Sequence, residues 1–448
     1  MKKVFFGMIT AGCLLFNLST NAQEQTTNRV DFSQALELAM LHDQDLQAAE
    51  FQYQSSVAGR GISKAALLPQ IGLTVSSSRL TQETEKSSNP LIADGTIDFN
   101  ANGYNLALTQ TLYNHSIYKE LQKTDLSIAS ATATVEAARQ DLIVRLAIAY
   151  FNALGAEDNL KFATAEKESI GKQLEQSKKR FEVGLIAITD VKEAQASYDT
   201  SVAQEIDAQN ILSAQFEALA VILGSYTTNI AAMMEDIPLL IPEPANMMKW
   251  TENAQENNLA LKAAQYNYQA AQKQVDADQS GHYPYIDLVA QRNFYSPDGG
   301  RFSYSDSTDT TISVQLTVPI YTGGLTSSKH KQSVASKEQA RSLKEKAKRQ
   351  TLQQTRDAYL GVTSTIAQVK ALKQALLSNQ AAHEATQAGF EVGTRTAIDV
   401  LSTLREVYRA ERDYARARYN YVINTLRLKQ AAGTLSMNDG KGINNFLQ

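Results

Sequence analysis

The chain has 448 residues, of which 43% are hydrophobic and 20% charged. That composition supports a large core and excludes wholesale disorder. A net charge of −4 excludes the dense basic footprint of a nucleic-acid binder, and a single cysteine, Cys13, excludes an internal disulfide and a thiolate zinc site.

The first residues read as an address. Lys2 and Lys3 precede a mostly apolar run, Val4 to Leu18, that is too short for a comfortable membrane helix. Thr20-Asn21-Ala22 places small residues at −3 and −1, so cleavage is expected before Gln23. Residues 1–22 are then a signal peptide, and losing both lysines takes the net charge from −4 to −6. No later stretch has the ~18 uninterrupted apolar residues of a membrane helix. The exported chain is either soluble or crosses a membrane as a β-barrel.

The chain is written twice. Leu68-Pro69 to Leu73 matches Tyr283-Pro284 to Leu288, and Leu108-Thr109 to Tyr113 matches Leu316-Thr317 to Tyr321. Phe181-Glu182-Val183-Gly184 recurs as Phe390-Glu391-Val392-Gly393, and Asp190-Val191 as Asp399-Val400. The offset stays between 208 and 215, and the shared order points to a tandem duplication. Residues 23–224 form the first repeat, 225–249 a linker, 250–433 the second repeat and 434–448 a tail.

In chain order, residues 31–66 predict a helix, ended by Pro69. A strand follows in which Ile71, Leu73 and Val75 alternate with Gly72, Thr74 and Ser76. A polar loop is expected over about 80–102. The next strand sets Tyr104, Leu106, Leu108 and Leu112 against Asn105, Ala107, Thr109 and Thr111. Residues 115–181 carry no proline and predict a helix roughly 100 Å long at 1.5 Å per residue. Helix 187–224 comes next. The linker with Pro238, Pro242 and Pro244 separates the halves. The second strand pair ends in a clean alternation, with Ile312, Val314, Leu316, Val318 and Ile320 on one face. Helices 325–389 and 395–433 close the second repeat. Each long helix matches two short ones stacked end to end, and alanine-rich faces suit coiled-coil packing.

Strands of about ten residues with one apolar and one small polar face fit a barrel between lipid and water. The alternative is a half-buried sheet in a soluble domain. Tyr113, Tyr283, Tyr285 and Tyr321 cluster at one end of the strands, and Phe294, Tyr295, Phe302 and Tyr304 near the other, as aromatic girdles would. Four strands cannot close a membrane barrel, whose smallest forms have about eight, and an open edge is forbidden in lipid. Several chains must therefore share one barrel.

At the far end, Gly184 and Gly393 each follow a long helix, as C′ glycines do. Asp190-x-x-Glu193 and Thr396-x-x-Asp399 both resemble capping boxes. In a symmetric oligomer the same carboxylates become rings that attract cations. Arg395, four residues before Asp399, is the cation placed to tie such a tip shut.

These tips resemble those of the TolC family of outer-membrane efflux and type I secretion channels. Arg180-Phe181-Glu182-Val183-Gly184-Leu185-Ile186-Ala187-Ile188-Thr189-Asp190-Val191 is similar to the first tip and Val392-Gly393-Thr394-Arg395 to Leu401 to the second, with Ala417 to Asn424 extending the match. The resemblance covers about 28–436. It implies a homotrimer whose 12-stranded β-barrel, four strands per chain, continues into a long α-helical coiled-coil tunnel. It places the barrel in the outer membrane and the tunnel in the periplasm. A periplasmic adaptor and an inner-membrane RND, ABC or MFS transporter are the implied partners, with no cofactor and no nucleic acid. Asp190 and Arg395 match a closing pair, with Thr189 nearby. Asp399 matches a constriction-ring carboxylate. Gly184, Leu185, Gly393 and Thr394 form the tip turns that meet the adaptor. Two positions depart from the family. Phe390 replaces the closing-network tyrosine, and Ser402 replaces the second ring aspartate, so the ring carries three charges rather than six.

Other readings predict other features. An enzyme needs a motif, but His383-Glu384 lacks the second histidine of HExxH, and no phosphate-binding glycine loop is present. A periplasmic coiled-coil adaptor would have one hairpin and no duplicated strand pair. A structural tube without its own pore would need no charged tip.

Overall fold

The computed structural model describes residues 29–86, 88, 94–300 and 305–448. The expected signal peptide, and the aromatic positions Phe302 and Tyr304, lie outside them. Two copies of one element order follow each other. The first is α1 (Phe32–His42), α2 (Gln44–Ala65), β1 (Gln70–Thr84), β2 (Gly95–Tyr113), α3 (His115–Glu182) and α4 (Ile188–Leu223). The second is α5 (Met247–Asn257), α6 (Leu259–Gln279), β3 (Tyr285–Pro297), β4 (Ser307–Thr317), α7 (Leu325–Glu391) and α8 (Ala397–Ala431). A short α9 (Met437–Lys441) ends the chain's helices.

The helix expected over 31–66 is broken, and the cause is Asp43. Its backbone is extended, and its carboxylate accepts the Leu46 amide at 2.8 Å to start α2 afresh. Arg145 of α3 holds that buried carboxylate at 2.9 and 3.0 Å. The second repeat breaks at the equivalent Asn258, whose side chain accepts the Leu261 amide at 3.0 Å and donates to the Ala431 carbonyl at 3.0 Å. A cap residue that bonds its own chain better than the helix can stop the helix without proline.

The sheet is an antiparallel meander, β1-β2-β3-β4, in which β2–β3 pairing joins the repeats. Within the chain, β1 and β4 each have one unpaired edge. The loop expected over 80–102 is instead mostly strand. Gln70 to Thr84 pairs continuously with Thr109 to Gly95. Threonine-rich polar sequence reads as loop by composition, yet the full ladder and the Thr81–Asp98 hydrogen bond (2.6 Å) hold it extended. A register shift between Thr111 and Tyr113 makes Leu112 a bulge, unpaired in the β2–β3 ladder. The β4 alternation stops at Thr317, because Pro319 cannot donate to a ladder. Val318 and Ile320 therefore lie beyond the strand. Ile71, Leu73, Val75, Ile312, Val314 and Leu316 are all exposed on one face.

α3 and α7 contain 68 and 67 residues, roughly 100 Å each. α3 packs against α2 and α6 on its strand-side half, and against α4 and α8 beyond. No helix among the described residues is long and apolar enough to cross a membrane. The main core sits at the waist. Phe32, Leu36, Leu146, Tyr150, Phe151 and Tyr419 meet there, with Phe32 edge-on to Tyr150 at 5.6 Å and Phe151 stacked on Tyr419 at 5.6 Å. The linker and tail belong to this core. Tyr150 donates to the carbonyls of Val30 and Ala231, both at 3.0 Å. Val30 bridges Ile230, Met233 bridges Leu447, and Arg418 donates to the carbonyls of Met234 (2.9 Å) and Glu235 (2.8 Å).

Burial raises the Asp43 carboxyl, but the Arg145 guanidinium and the Leu46 amide outweigh it and hold the group below its ordinary value. A depressed folded pKa stabilises above the unfolded pKa, about 3.9, and that stability is lost as pH falls through it. Asp43→Asn keeps the cap but removes the charge. It is expected to lower the melting temperature of the purified protein at pH 7, with the gap to the wild type closing below about pH 4. Tyr150→Phe is expected to cost about 1–2 kcal/mol, read as the same kind of shift without pH dependence.

Candidate gate at the helix tips

Both long helices end in the same backbone device. Gly184 takes φ +75 and Gly393 φ +80, a left-handed conformation that side chains with a Cβ resist. Gly184 N–H donates to Phe181 O (2.9 Å) and Leu185 N–H to Arg180 O (2.9 Å). Gly393 N–H donates to Phe390 O (3.2 Å) and Thr394 N–H to Gly389 O (2.8 Å). These paired bonds satisfy the last carbonyls and reverse the chain.

The two restarts differ. Thr396 caps α8 in a full capping box. Asp399 Oδ2 accepts from Thr396 N–H and Oγ1–H, both at 3.0 Å, and Asp399 N–H donates back to Thr396 Oγ1 at 3.2 Å. The box expected at Asp190-x-x-Glu193 is absent. Ala187 is the N-cap of α4 and has no side-chain acceptor, and Asp190 already lies in the first helical turn. A box needs its hydroxyl or carboxylate at the non-helical cap position, which Asp190 does not occupy. Where the second repeat has Thr396, the first has Ala187. The Asp190 carboxylate, half-buried, has no hydrogen-bond or ion-pair partner among the described residues.

Arg395 lies on the α7–α8 turn, with its N–H on Gly389 O (3.2 Å) and its side chain exposed. No contact within the protomer joins it to Asp190, and Thr189 is exposed beside that residue. Asp399 is held below the usual carboxylate range, first by the Thr396 amide, then by its hydroxyl and the Arg395 charge. Ser402 is exposed one turn further on. Leu185, Val183, Ile188, Val392 and Ile398 are exposed around the two glycines, so the tip surface is apolar between its charges.

Phe390 is not merely a residue that lacks a hydroxyl. It is buried against Ala397 and Val400, and the Arg180 guanidinium lies 4.2 Å above its ring. Arg180 ends α3 and Phe390 ends α7, so this cation–π contact ties one hairpin tip to the other. Above it runs a polar seam between the hairpins that the sequence reading did not anticipate. Glu166, buried, meets Arg412 at 3.3 Å, and Ser169 Oγ meets the Tyr408 hydroxyl at 3.0 Å. Gln173 Nε2 and Ser177 Oγ are buried without partners. Within the α7–α8 hairpin beside this seam, His383 Nδ1 lies 3.1 Å from Thr403 Oγ1, its pKa lowered by burial. Only a small apolar cluster of Ile170, Leu174, Val191, Ala194 and Leu401 interrupts the seam. Alternating apolar positions reveal a core, but not which polar residues two helices will trap between them.

Comparison with known proteins follows the same lines. The chain matches the outer membrane efflux protein family over residues 35–225 and 250–434. It is 33% identical to "Outer membrane protein TolC" of Escherichia coli over 97% of this chain and 88% of that one. It is 37% identical to the protein of the same name from Vibrio cholerae over 86% of each. "Proteases secretion protein PrtF" of Dickeya chrysanthemi is 27% identical over 90% of this chain and 88% of that one. Among solved structures, the Campylobacter jejuni CmeC outer membrane channel superposes with a TM-score of 0.81 at 16% identity, over 99% of this chain and 97% of that one. The duplicated helix–hairpin order, the four-stranded sheet and the two glycine tips thus have a shared origin: the chain belongs to the outer membrane efflux protein family.

Proposed function

We propose that three copies of this chain form an outer-membrane channel-tunnel for an efflux pump or a type I secretion system, gated at the helix tips. The observation that carries this reading is the sheet. Its outward face is exposed and apolar, and β1 and β4 have free edges. The apolar face suits lipid, but the free edges are not tolerable there unless β4 of one protomer pairs with β1 of the next. Three protomers give twelve strands, and their helices continue the wall into the periplasm. The names of the relatives, outer membrane protein and protease secretion protein, agree with this.

The gate follows from the unpaired charges. Neither the Asp190 carboxylate nor the Arg395 side chain is engaged by a hydrogen bond or ion pair among the described residues, and a symmetric ring would set the α4 start of one protomer beside the α7–α8 turn of its neighbour. An Asp190–Arg395 pair across each boundary closes the tip. Asp399 supplies one carboxylate per protomer to the constriction, and Ser402 adds none. The apolar tip around Gly184, Leu185, Gly393 and Thr394 meets the periplasmic adaptor. An inner-membrane transporter of the RND, ABC or MFS class delivers cargo through it. The polar seam lets α7–α8 shift against α3–α4, because its hydrogen bonds exchange with water at little net cost.

In planar bilayers, Arg395→Ser is expected to enlarge the single-channel conductance steps; unchanged steps would remove Arg395 as a latch. Arg180→Gln deletes a contact of about 0.5–1 kcal/mol and is expected to raise open probability about two- to fivefold. Block by multivalent cations is expected to persist as pH falls through 5 and to fade below about pH 4, because Asp399 titrates below its ordinary value. In Asp399→Asn the block is expected to be absent at every pH.

A further inference from the structure

On the outward face of the sheet, paired residues form rows across the strands. From the helix end outward, these rows run through Tyr113–Ile286–Leu316, Gln110–Leu288–Val314 and Ile71–Leu108–Ala290–Ile312. The fourth row is Leu73–Leu106–Arg292–Thr310, and the fifth is Val75–Tyr104–Phe294–Thr308. Beyond it the same face turns polar, with Ser77–Asn102–Ser296 and then Arg79–Asn100. Five rows, about 6.8 Å apart along the strands, span roughly 20 Å of height once tilt is included, close to the apolar band of an outer-membrane barrel.

Arg292 breaks this band. It is exposed, lies between Leu106 and Thr310 in its row, and is engaged by no hydrogen bond or ion pair among the described residues. An ionised side chain facing lipid is costly at the midplane and cheap near the interface, where it can extend its head to the headgroups. Arg292 lies one row inside the Tyr104–Phe294 stack, whose rings are 5.3 Å apart. An extended arginine side chain spans about 7 Å, one row spacing, which brings its guanidinium level with that stack, the last apolar row before Ser77–Asn102–Ser296. Leu73, Val75, Tyr104 and Phe294 line a shallow apolar groove at the same height. A cation at the outer edge of the apolar band beside an acyl-sized apolar groove has the makings of a lipid site. The guanidinium fork matches a phosphate monoester in two-point fashion, which a neutral or zwitterionic headgroup cannot offer as well.

We propose that Arg292 and this groove bind a phosphorylated glycolipid of the outer leaflet, phosphate on the guanidinium and an acyl chain along Leu73, Val75 and Phe294. The assignment to the outer leaflet rests on the channel reading above, which places the strand hairpins outside and the helices in the periplasm. In the trimer the site recurs three times around the barrel.

The test titrates purified trimers with bisphosphorylated lipid A, dephosphorylated lipid A and phosphatidylglycerol, and reads bound lipid by native mass spectrometry. Trimers are first confirmed by a heat-sensitive band from the membrane fraction. Lipid A retention is expected to fall about tenfold in Arg292→Gln, as for loss of one charge-assisted contact, and less in Arg292→Lys. Dephosphorylated lipid A is expected to bind the wild type as weakly as lipid A binds Arg292→Gln. Equal retention of lipid A by wild type and Arg292→Gln would overturn the site. So would phosphatidylglycerol binding as tightly as lipid A, because the site would then not select the outer-leaflet glycolipid. Should Arg292→Gln fail to trimerise, Arg292→Lys and the dephosphorylated lipid on the wild type decide. Absence of any membrane trimer from the wild type would instead overturn the channel reading, and the site with it.

Discussion

Everything in this chain is hung from the waist. Phe32, Tyr150, Phe151 and Tyr419 are packed ring against ring, and Tyr150 donates its buried hydroxyl to two carbonyls on segments far apart in sequence. A hydroxyl shut away from water must be bonded, so Val30 and Ala231 are fixed where Tyr150 needs them. That single demand stitches the entry to α1 and the linker onto α3. Arg418 and Leu447 add the other half and the tail. From this belt the helices run one way to the sheet and the other way to the tips. Neither end has a comparable core, which leaves both surfaces free for other chains, lipid or cargo.

Duplication built the frame, and divergence between its halves built the chemistry. Asp43 and Asn258 do the same job at the same place, breaking a helix and capping its continuation. Ala187 and Thr396 do not. Thr396 engages Asp399 within its own turn, whereas Ala187 cannot engage Asp190. A carboxylate that finds no partner locally is available to a neighbouring subunit, and one that does is held ionised and oriented. Two carboxylates in equivalent turns thereby acquire different surroundings through one difference at a cap.

Period-two alternation in Ile71 to Val75 and Ile312 to Leu316 reveals strands, and the absence of proline from 91 to 237 reveals a long helix, because both signals are local and repeated. The Asp43 break escapes such a reading. Asp43 works through Arg145, about a hundred residues away, and nothing near it marks the helix as ended. The stretches Thr81–Thr84 and Gly95–Asn102 escape for the opposite reason: their composition is that of a loop, and only the ladder between strands keeps them extended. At the tip, Gly184, Gly393 and the Thr396–Asp399 box are legible because turn geometry constrains residue type. The Arg180–Phe390 contact and the seam of Glu166, Gln173 and Ser177 join helices distant in sequence, and periodicity carries no information about them.

The contrast between waist and seam also explains how such a tip can move without the molecule coming apart. From Tyr150 to Glu182 is 32 residues of unbroken helix, roughly 48 Å. A rotation of about 10° at the belt therefore carries the tip about 8 Å, which a stiff helix transmits without bending. What resists is only what lies between the hairpins along that lever. Large apolar side chains interlock and would have to be unpacked, at a cost that grows with buried area. Short polar side chains such as Ser169, Ser177 and Thr403 can slide past one another and find water instead. The buried Gln173 Nε2 and Ser177 Oγ, without partners among the described residues, would gain water partners if the hairpins separated. The seam thus resists separation of the hairpins less than the waist does, and the Arg180 contact on Phe390 is what holds them together at the very tip.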